Sequence, residues 1–177
     1  PEITRLKQAL DTVRSIVAFF KNTKEGSYPE LKKLVEPVIL FPEILRRIDS
    51  LIDKFGEIRD NASPELQHIR SQIREKESLI SKRITSILKK AQAEGYAEED
   101  ASVAIRDGRV LIPVSSANKR KIQGFVYDES ASGKTSYIEP MEIVELNNTV
   151  RELHFAEQRE ILKILVQFAD FLRPYLA

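Results

Sequence analysis

The stretch between Pro64 and Gly95 contains neither proline nor glycine, and it constrains the fold more than any other feature of the sequence. Just before it, Ser63 can cap a helix, and Pro64 suits the first helical position. Glu65 follows, where a negative charge is favourable against the positive end of the helix dipole. We therefore predict one uninterrupted helix of roughly 31 residues, about 46 Å long at 1.5 Å per residue.

A narrow apolar stripe runs along this helix, as in the seam of a coiled coil. It consists of Leu66, Ile69, Ile73, Ile80, Ile84, Ile87 and Ala91. A second long helix is predicted after Pro140, and its stripe consists of Leu146, Val150, Leu153, Ile161, Ile164, Phe168 and Phe171. If the two helices lie antiparallel, with residue 94 opposite about residue 141, Lys76 falls near Glu157. We predict that these two residues form a buried polar pair that fixes the register.

The segment between the two helices has the alternation of short strands instead of a helical period. Strands are predicted over 101–105 and 109–114, around the turn Asp107-Gly108, and again over 122–127 and 135–138. The loop Ser130-Ala131-Ser132-Gly133 separates the last two. Four short strands indicate a small antiparallel unit at the tip of the helical hairpin.

Three shorter helices are predicted before the long ones, over 3–20, from Pro29 to about Val35, and from Pro42 to Gly56. The expected fold class is mainly α with a small β insertion: a long antiparallel helical hairpin on a helical base, with a small antiparallel β clamp at its tip. We divide the chain into a helical core segment (1–58), a lever helix (59–94), a β-rich clamp-like unit (95–140) and a return lever helix (141–177).

The composition argues against several classes of site. The chain has no cysteine, so disulfides and thiolate metal sites are excluded, and its two histidines lack the spacing of metal ligands. The apolar run Ile16-Val17-Ala18-Phe19-Phe20 is too short to cross a bilayer. No signal peptide opens the sequence. The chain begins with Pro1 instead of methionine, and we expect it to lie inside a longer protein. We expect no metal, no cofactor and no membrane contact in this region.

One motif suggests a nucleotide site. Ser132-Gly133-Lys134-Thr135 resembles the end of a P-loop, which has the form G-x-x-x-x-G-K-[ST] between a strand and a helix. The first glycine of that pattern would stand where Asp128 is, and the residues after Thr135 alternate as in a strand. We therefore interpret the motif as a hairpin loop with an exposed lysine, and we predict no catalytic residue. The acidic run Glu98-Glu99-Asp100 is interpreted as a solvated loop.

The positive charge of the tip is local. Residues 106–121 carry five lysines and arginines against one acid, although the whole stretch 95–140 has six basic and seven acidic residues. The predicted nucleic-acid contacts are Arg106, Arg109, Lys119, Arg120, Lys121 and Lys134. Such residues can hold phosphates without reading bases. The alternative interpretation is a solvated charged face.

Several phrases of the sequence, in order over about 60–165, resemble the MutS family. The branch that they match lacks the mismatch-reading domain and is called MutS two. The phrases are Asp60-Asn61-Ala62-Ser63-Pro64-Glu65-Leu66; Ile105 to Val114; Gly124 to Gly133 with Tyr137-Ile138-Glu139-Pro140; Glu145-Leu146-Asn147-Asn148; and Glu157-Gln158-Arg159-Glu160-Ile161. Residues 1–55 match more weakly.

The resemblance implies a non-catalytic lever and clamp region. The parent protein would be a homodimeric, cytoplasmic ATPase that uses ATP and Mg²⁺, in many members with a nuclease-like domain. It would bind branched or duplex DNA and restrain recombination, and in some members act on stalled ribosomes. The alternative is a protein- or ribosome-binding helical module without direct DNA contact. From the residues themselves, we expect Asn147 and Asn148 to bond the backbone of the 130–133 loop, and Glu139-Pro140 to set the strand-to-helix junction.

Overall fold

A computed structural model describes residues 2–24 and 26–176. The helices are α1 (Glu2–Lys21), α2 (Pro29–Val35), α3 (Pro42–Leu51), α4 (Pro64–Ala93) and α5 (Met141–Leu172). The strands are β1 (Ala104–Arg106), β2 (Arg109–Ser115), β3 (Gly124–Glu129) and β4 (Thr135–Pro140). Short stretches of 3₁₀ turn cover Asp60–Ala62, Ser116–Lys121 and Arg173–Tyr175. The mainly α fold with a small antiparallel β insertion is therefore confirmed.

The chain forms two compact units, residues 1–64 with 163–177, and residues 65–162. The second unit holds the sheet, most of α4 and the first two thirds of α5. Within the described residues, no helix is both long enough and apolar enough to cross a membrane.

In the first unit, α3 ends earlier than the sequence predicts. The helix stops at Leu51, and Ile52 is extended (φ −116°, ψ 153°) and forms a single antiparallel bridge with Ile58. The Asp53 carboxylate stabilises the intervening turn by accepting hydrogen bonds from the backbone N–H groups of Phe55 and Glu57, at 2.8 and 3.0 Å. A side chain that accepts hydrogen bonds from nearby backbone N–H groups in this way competes with the helix, which explains the early stop.

The stripe of α4 is close to the predicted one, with a single change. Six of the seven predicted residues are buried, but Leu88 is buried in place of Ile87, which is half-buried at the edge of the same core. On α5 the buried residues of the sheet end are Ile143, Asn147 and Val150, so Leu146 lies at the edge of the core as well.

The predicted pair of Lys76 with Glu157 is wrong. Glu157 binds Arg70, at 2.7 Å from Nε to Oε1, and Lys76 lies 3.5 Å from its neighbour Glu75. Arg83 reaches the backbone carbonyl of Glu142, so the helices are antiparallel but shifted from the predicted register. The prediction assumed that both helices meet at the hairpin neck. Instead, α4 continues past the start of α5 and packs its last turns, with Leu88 and Ala91, against the sheet.

The sheet has the order β1-β2-β4-β3, with all neighbours antiparallel. The β1–β2 turn at Asp107-Gly108 has positive φ at both residues (48° and 75°), as the tight two-residue hairpin turn requires. Because side chains alternate along a strand, Ile112, Val114 and Ile138 share one face. This face belongs to one buried cluster with Ile80, Ile84 and Leu88 of α4, and with Ile143 and Val150 of α5.

Candidate nucleic-acid interface

The six basic residues predicted to contact nucleic acid fall on four parts of the sheet unit. Arg106 ends β1 and Arg109 begins β2, on either side of the hairpin turn. Lys119, Arg120 and Lys121 end the 3₁₀ turn between β2 and β3. Lys134 lies in the loop between β3 and β4. The structure therefore brings three of the six together as consecutive residues of one short element.

The 3₁₀ turn Ser116–Lys121 carries one paired and two unpaired cations. The Lys119 ammonium lies 2.8 Å from the Glu129 carboxylate on β3. This hydrogen bond, together with the positive charge of Lys119, holds the pKa of Glu129 below its usual range, and the Ser136 hydroxyl adds to the effect. Arg120 and Lys121 are exposed, and neither forms an ion pair with any residue that the structure describes. Their charges remain available to an anion.

Arg106 and Arg109 have different surroundings although they are paired across the hairpin. Arg106 is exposed, and its guanidinium lies over the Tyr137 ring, 4.9 Å from the centroid, and 3.6 Å from the Asp128 carboxylate. The Arg109 side chain is only 16% exposed, and it binds the carboxylate of Glu139 and the side-chain oxygen of Asn148. Arg109 thus contributes to the interior of the unit, whereas Arg106 presents its charge at the surface.

Lys134 lies in a hairpin loop. The backbone N–H of Ser130 donates to the carbonyl of Thr135, and that of Gly133 donates to the carbonyl of Ser130, each at 2.8 Å. Gly133 has a positive φ of 69° at the tip. The chain continues from this loop into β4, whereas a phosphate-binding P-loop leads into a helix. The interpretation of this motif as a hairpin loop is confirmed, and the Lys134 side chain is exposed.

A buried polar network joins the sheet to α5, and the sequence did not reveal it. The Asn147 amide accepts a hydrogen bond from the Val110 N–H and donates one to the Val110 carbonyl, both at 3.3 Å. It also donates to Glu139 Oε1 at 2.8 Å. The predicted contact of Asn147 and Asn148 with the 130–133 loop is therefore wrong, because β2, and not that loop, lies beside the second turn of α5. The one feature of the sequence that points to this network is the pair Asn147-Asn148, which follows Glu139-Pro140 by only a few residues.

Comparison with known proteins gives the relatives of the chain, although no protein-family model matches it. It is 36% identical to the protein named Endonuclease MutS2 of Alkaliphilus oremlandii, over 97% of this chain and 22% of that protein. The same name belongs to relatives from Lacticaseibacillus casei (36% identity) and Streptococcus suis (37%), each over 98% of this chain and 22% of the relative. The chain thus spans about a fifth of the length of the curated relatives it matches. The resemblance found in the sequence is confirmed.

Proposed function

We propose that this chain, which is homologous to one region of the MutS2 proteins, is the lever and clamp of a MutS-like ATPase. In this role the sheet unit holds branched or duplex DNA by its backbone, and the long helices relay nucleotide state from an ATPase domain outside this chain. The observation that carries the proposal is the run of three cations on the 3₁₀ turn Ser116–Lys121, two of them unpaired.

The proposed grip is electrostatic and independent of base sequence. Lysine and arginine side chains that neutralise phosphates release counterions, and this supplies affinity without reading bases. The exposed ammonium of Lys134 belongs to the same unit and would add a contact. Arg106 would add another, because its guanidinium stays exposed although it lies 3.6 Å from the Asp128 carboxylate. Arg109 would act indirectly, because its charge is already bound by Glu139.

The lever role depends on how firmly the sheet is attached to the helices. With 30 and 32 residues, α4 and α5 have lengths of about 45 and 48 Å at 1.5 Å per residue. Inside the second unit, the shared apolar cluster and the Asn147 network join the sheet to both helices. A tilt of the helices would therefore carry the sheet with it.

The wider context of the proposal comes from the relatives. Their printed name describes an endonuclease; we propose that catalysis, with ATP and Mg²⁺, belongs to other parts of the parent protein and that this region supplies no catalytic residue. The parent would be a cytoplasmic homodimer that restrains recombination.

Apolar side chains on both edges of the sheet favour a second candidate function. Ile105 on β1 is 65% exposed, and Phe125 and Val126 on β3 are 55% and 46% exposed. Exposed apolar residues on open strands are typical of protein-binding surfaces. The chain would then be a module that binds a protein partner or the ribosome without contacting DNA directly.

Fluorescence anisotropy on labelled duplex, branched and single-stranded DNA tests the proposal. Binding would be measured at about 50 and 200 mM salt, a range over which phosphate contacts lose much of their affinity. The variant Lys119→Glu/Arg120→Glu/Lys121→Glu is expected to bind more weakly and with less salt dependence. The control Lys21→Glu/Lys24→Glu/Lys54→Glu changes the same charge at exposed positions of the other unit. Equal DNA affinity of the two variants would contradict the clamp. An affinity that does not change with salt concentration would favour the second candidate function, binding of a protein partner.

A further inference from the structure

The last three turns of α4 carry a second set of cations, apart from those of the tip. Between Glu77 and Glu94 the sequence has no acidic residue. Four basic residues lie in this interval, and all four are exposed: Lys82, Arg83, Lys89 and Lys90. These 16 residues carry four positive charges and no negative charge, so this part of the helix has a positive local field although the net charge of the whole chain is only +1.

Helical geometry places these four residues in two aligned pairs. Lys82 and Lys89 are seven residues apart, as are Arg83 and Lys90, and seven residues are about two turns, or 10.5 Å along the axis. The buried stripe of the same turns, with Ile84, Leu88 and Ala91, faces the core of the unit. The cations therefore form a double row on the surface of the helix.

The two halves of α4 differ in how their charges are used. In the first half, Arg70 binds Glu157 and Lys76 lies beside Glu75. In the second half, Lys82, Lys89 and Lys90 have no carboxylate partner among the residues that the structure describes. Arg83 donates only to a neutral group, the backbone carbonyl of Glu142, at 3.4 Å. Among the described residues, no ion pair therefore involves these four positive charges.

A surface groove connects one of these cations to the 3₁₀ turn of the tip. Lys90 of α4 and Lys121 of the turn both line it, and its volume is about 380 Å³. Ile87, Ala91 and Ile122 contribute apolar wall, and Glu94 and Glu142 contribute two carboxylates. The groove thus joins Lys90 of α4 to Lys121, while its two carboxylates limit how strongly an anion would bind inside it.

We infer that the exposed side of α4 over 82–90, joined to the tip through Lys90 and Lys121, is a second row of phosphate contacts for the backbone of duplex DNA. The inference rests on the proposed function and extends it from the tip onto the helix. Charge complementarity identifies the partner, because two aligned pairs of unpaired cations fit a polymer with regularly spaced negative charges. Three of the four are lysines, which act as point charges and carry no base-reading geometry.

The basic residues at the end of α4 could also have a purely structural role. Basic residues near the C-terminus of a helix interact favourably with its dipole, and Lys90 lies in the last turn of α4. Replacing Lys90 would remove that interaction whether or not DNA binds. The salt dependence of binding is a readout that helix stabilisation alone would not change, since it counts released counterions.

The test uses the whole chain and a labelled duplex, with anisotropy titrations between about 50 and 200 mM salt. We expect Lys82→Ala/Lys89→Ala/Lys90→Ala to weaken binding at least about tenfold. The slope of log affinity against log salt should fall by about 2 to 3, near 0.9 for each lost contact. The control Lys21→Ala/Lys24→Ala/Lys54→Ala should leave the slope unchanged. Replacing the three lysines with arginine should also leave the slope unchanged. Glu142→Gln should raise the affinity for the duplex, because it removes a negative charge beside Lys90.

The outcomes separate this inference from the proposed clamp. If the tip variant at 119–121 weakens binding and the α4 variant binds with the slope of the unchanged chain, the inference is wrong and the clamp stands. If only the α4 variant weakens binding, the inference stands and the tip proposal is wrong. No binding to duplex at low salt, or equally strong binding to polyglutamate, would overturn the inference.

Discussion

The side-chain amide of Asn147 occupies the place of the strand residue that would otherwise pair with Val110. In the β2–β4 register, Ile112 faces Ile138, so Val110 falls opposite Pro140, where β4 ends. Pro140 has no backbone N–H, and the chain turns into α5 at Met141. The Asn147 amide offers an acceptor oxygen and an NH2 group with two donor hydrogens, and it bonds both polar groups of Val110. One helical side chain thus completes the hydrogen-bond ladder of the sheet.

Replacing Asn147 with leucine should destabilise the protein by about 2 to 4 kcal/mol, because it leaves the N–H and C=O of Val110 without these partners and removes one of the two hydrogen bonds to Glu139 Oε1, which Arg109 also binds. Urea unfolding followed by circular dichroism measures this. Asn148→Ala is the control: Asn148 is exposed and accepts one hydrogen bond from Arg109, so its loss should cost at most about 1 kcal/mol. Equal effects of the two variants would contradict the role given to Asn147.

Gly124 is required by the close approach of β3 to the end of β4. A Cβ at Gly124 would lie 2.2 Å from the backbone carbonyl oxygen of Glu139, so Gly124→Ala must push the two strands apart. We expect a loss of about 3 kcal/mol, at the upper end for overpacking. Gly133→Ala has nothing within 4 Å but a positive φ, and it should cost only about 1 kcal/mol. Urea unfolding measures the free energy of unfolding of both variants. A larger loss for Gly133→Ala than for Gly124→Ala would contradict the role given to Gly124.

Glu157 should be sensitive to substitution and Lys76 should not. Arg70 and Glu157 bind each other with side chains that are each 20% exposed, and Glu157 also lies 3.4 Å from His154 Nδ1. Glu157→Leu leaves the half-buried Arg70 without this partner, at a cost of about 1 to 3 kcal/mol. Lys76→Leu should change the free energy of unfolding by no more than about 0.5 kcal/mol. Thermal melts of both variants provide the comparison. A larger fall in melting temperature for Lys76→Leu than for Glu157→Leu would instead support the register predicted from the sequence.

The Asp53 turn should contribute stability that depends on pH. Hydrogen bonds from the backbone N–H of Glu57, and then those of Phe55 and Gly56, lower the pKa of Asp53 below 3.8, and the charge of Arg59 acts in the same direction. Because the folded pKa is the lower one, the stabilisation is present above the unfolded pKa and is lost as the pH falls through the folded pKa. Asp53→Asn should therefore differ most from the unchanged chain near pH 5. Urea midpoints over about pH 2 to 5 measure the difference, which should shrink towards the acid end.

The predictions from the sequence succeed and fail for identifiable reasons. The turn at Asp107-Gly108 and the starts of α2 and α4 follow from the sequence because glycine permits a positive φ and proline fixes φ at a value that suits the first turn of a helix. The early end of α3 does not follow from the apolar spacing because it depends on the Asp53 side chain, which stabilises a turn by accepting hydrogen bonds from the backbone N–H groups of Phe55 and Glu57. The six candidate contact residues were chosen from local charge alone, and their role stays a prediction.

The amino-acid sequence alone establishes the helical period and the length of α4, since a long interval without proline or glycine and a single apolar stripe leave one helix as the outcome. Which residues meet depends on the tertiary structure. Arg70, and not Lys76, binds Glu157 because α4 continues past the start of α5 to cover the sheet. Arg109 is partly buried while Arg120 and Lys121 are exposed because Glu139 and Asn148 surround only the first. Such contacts depend on the relative placement of elements distant in sequence, which a local pattern does not encode.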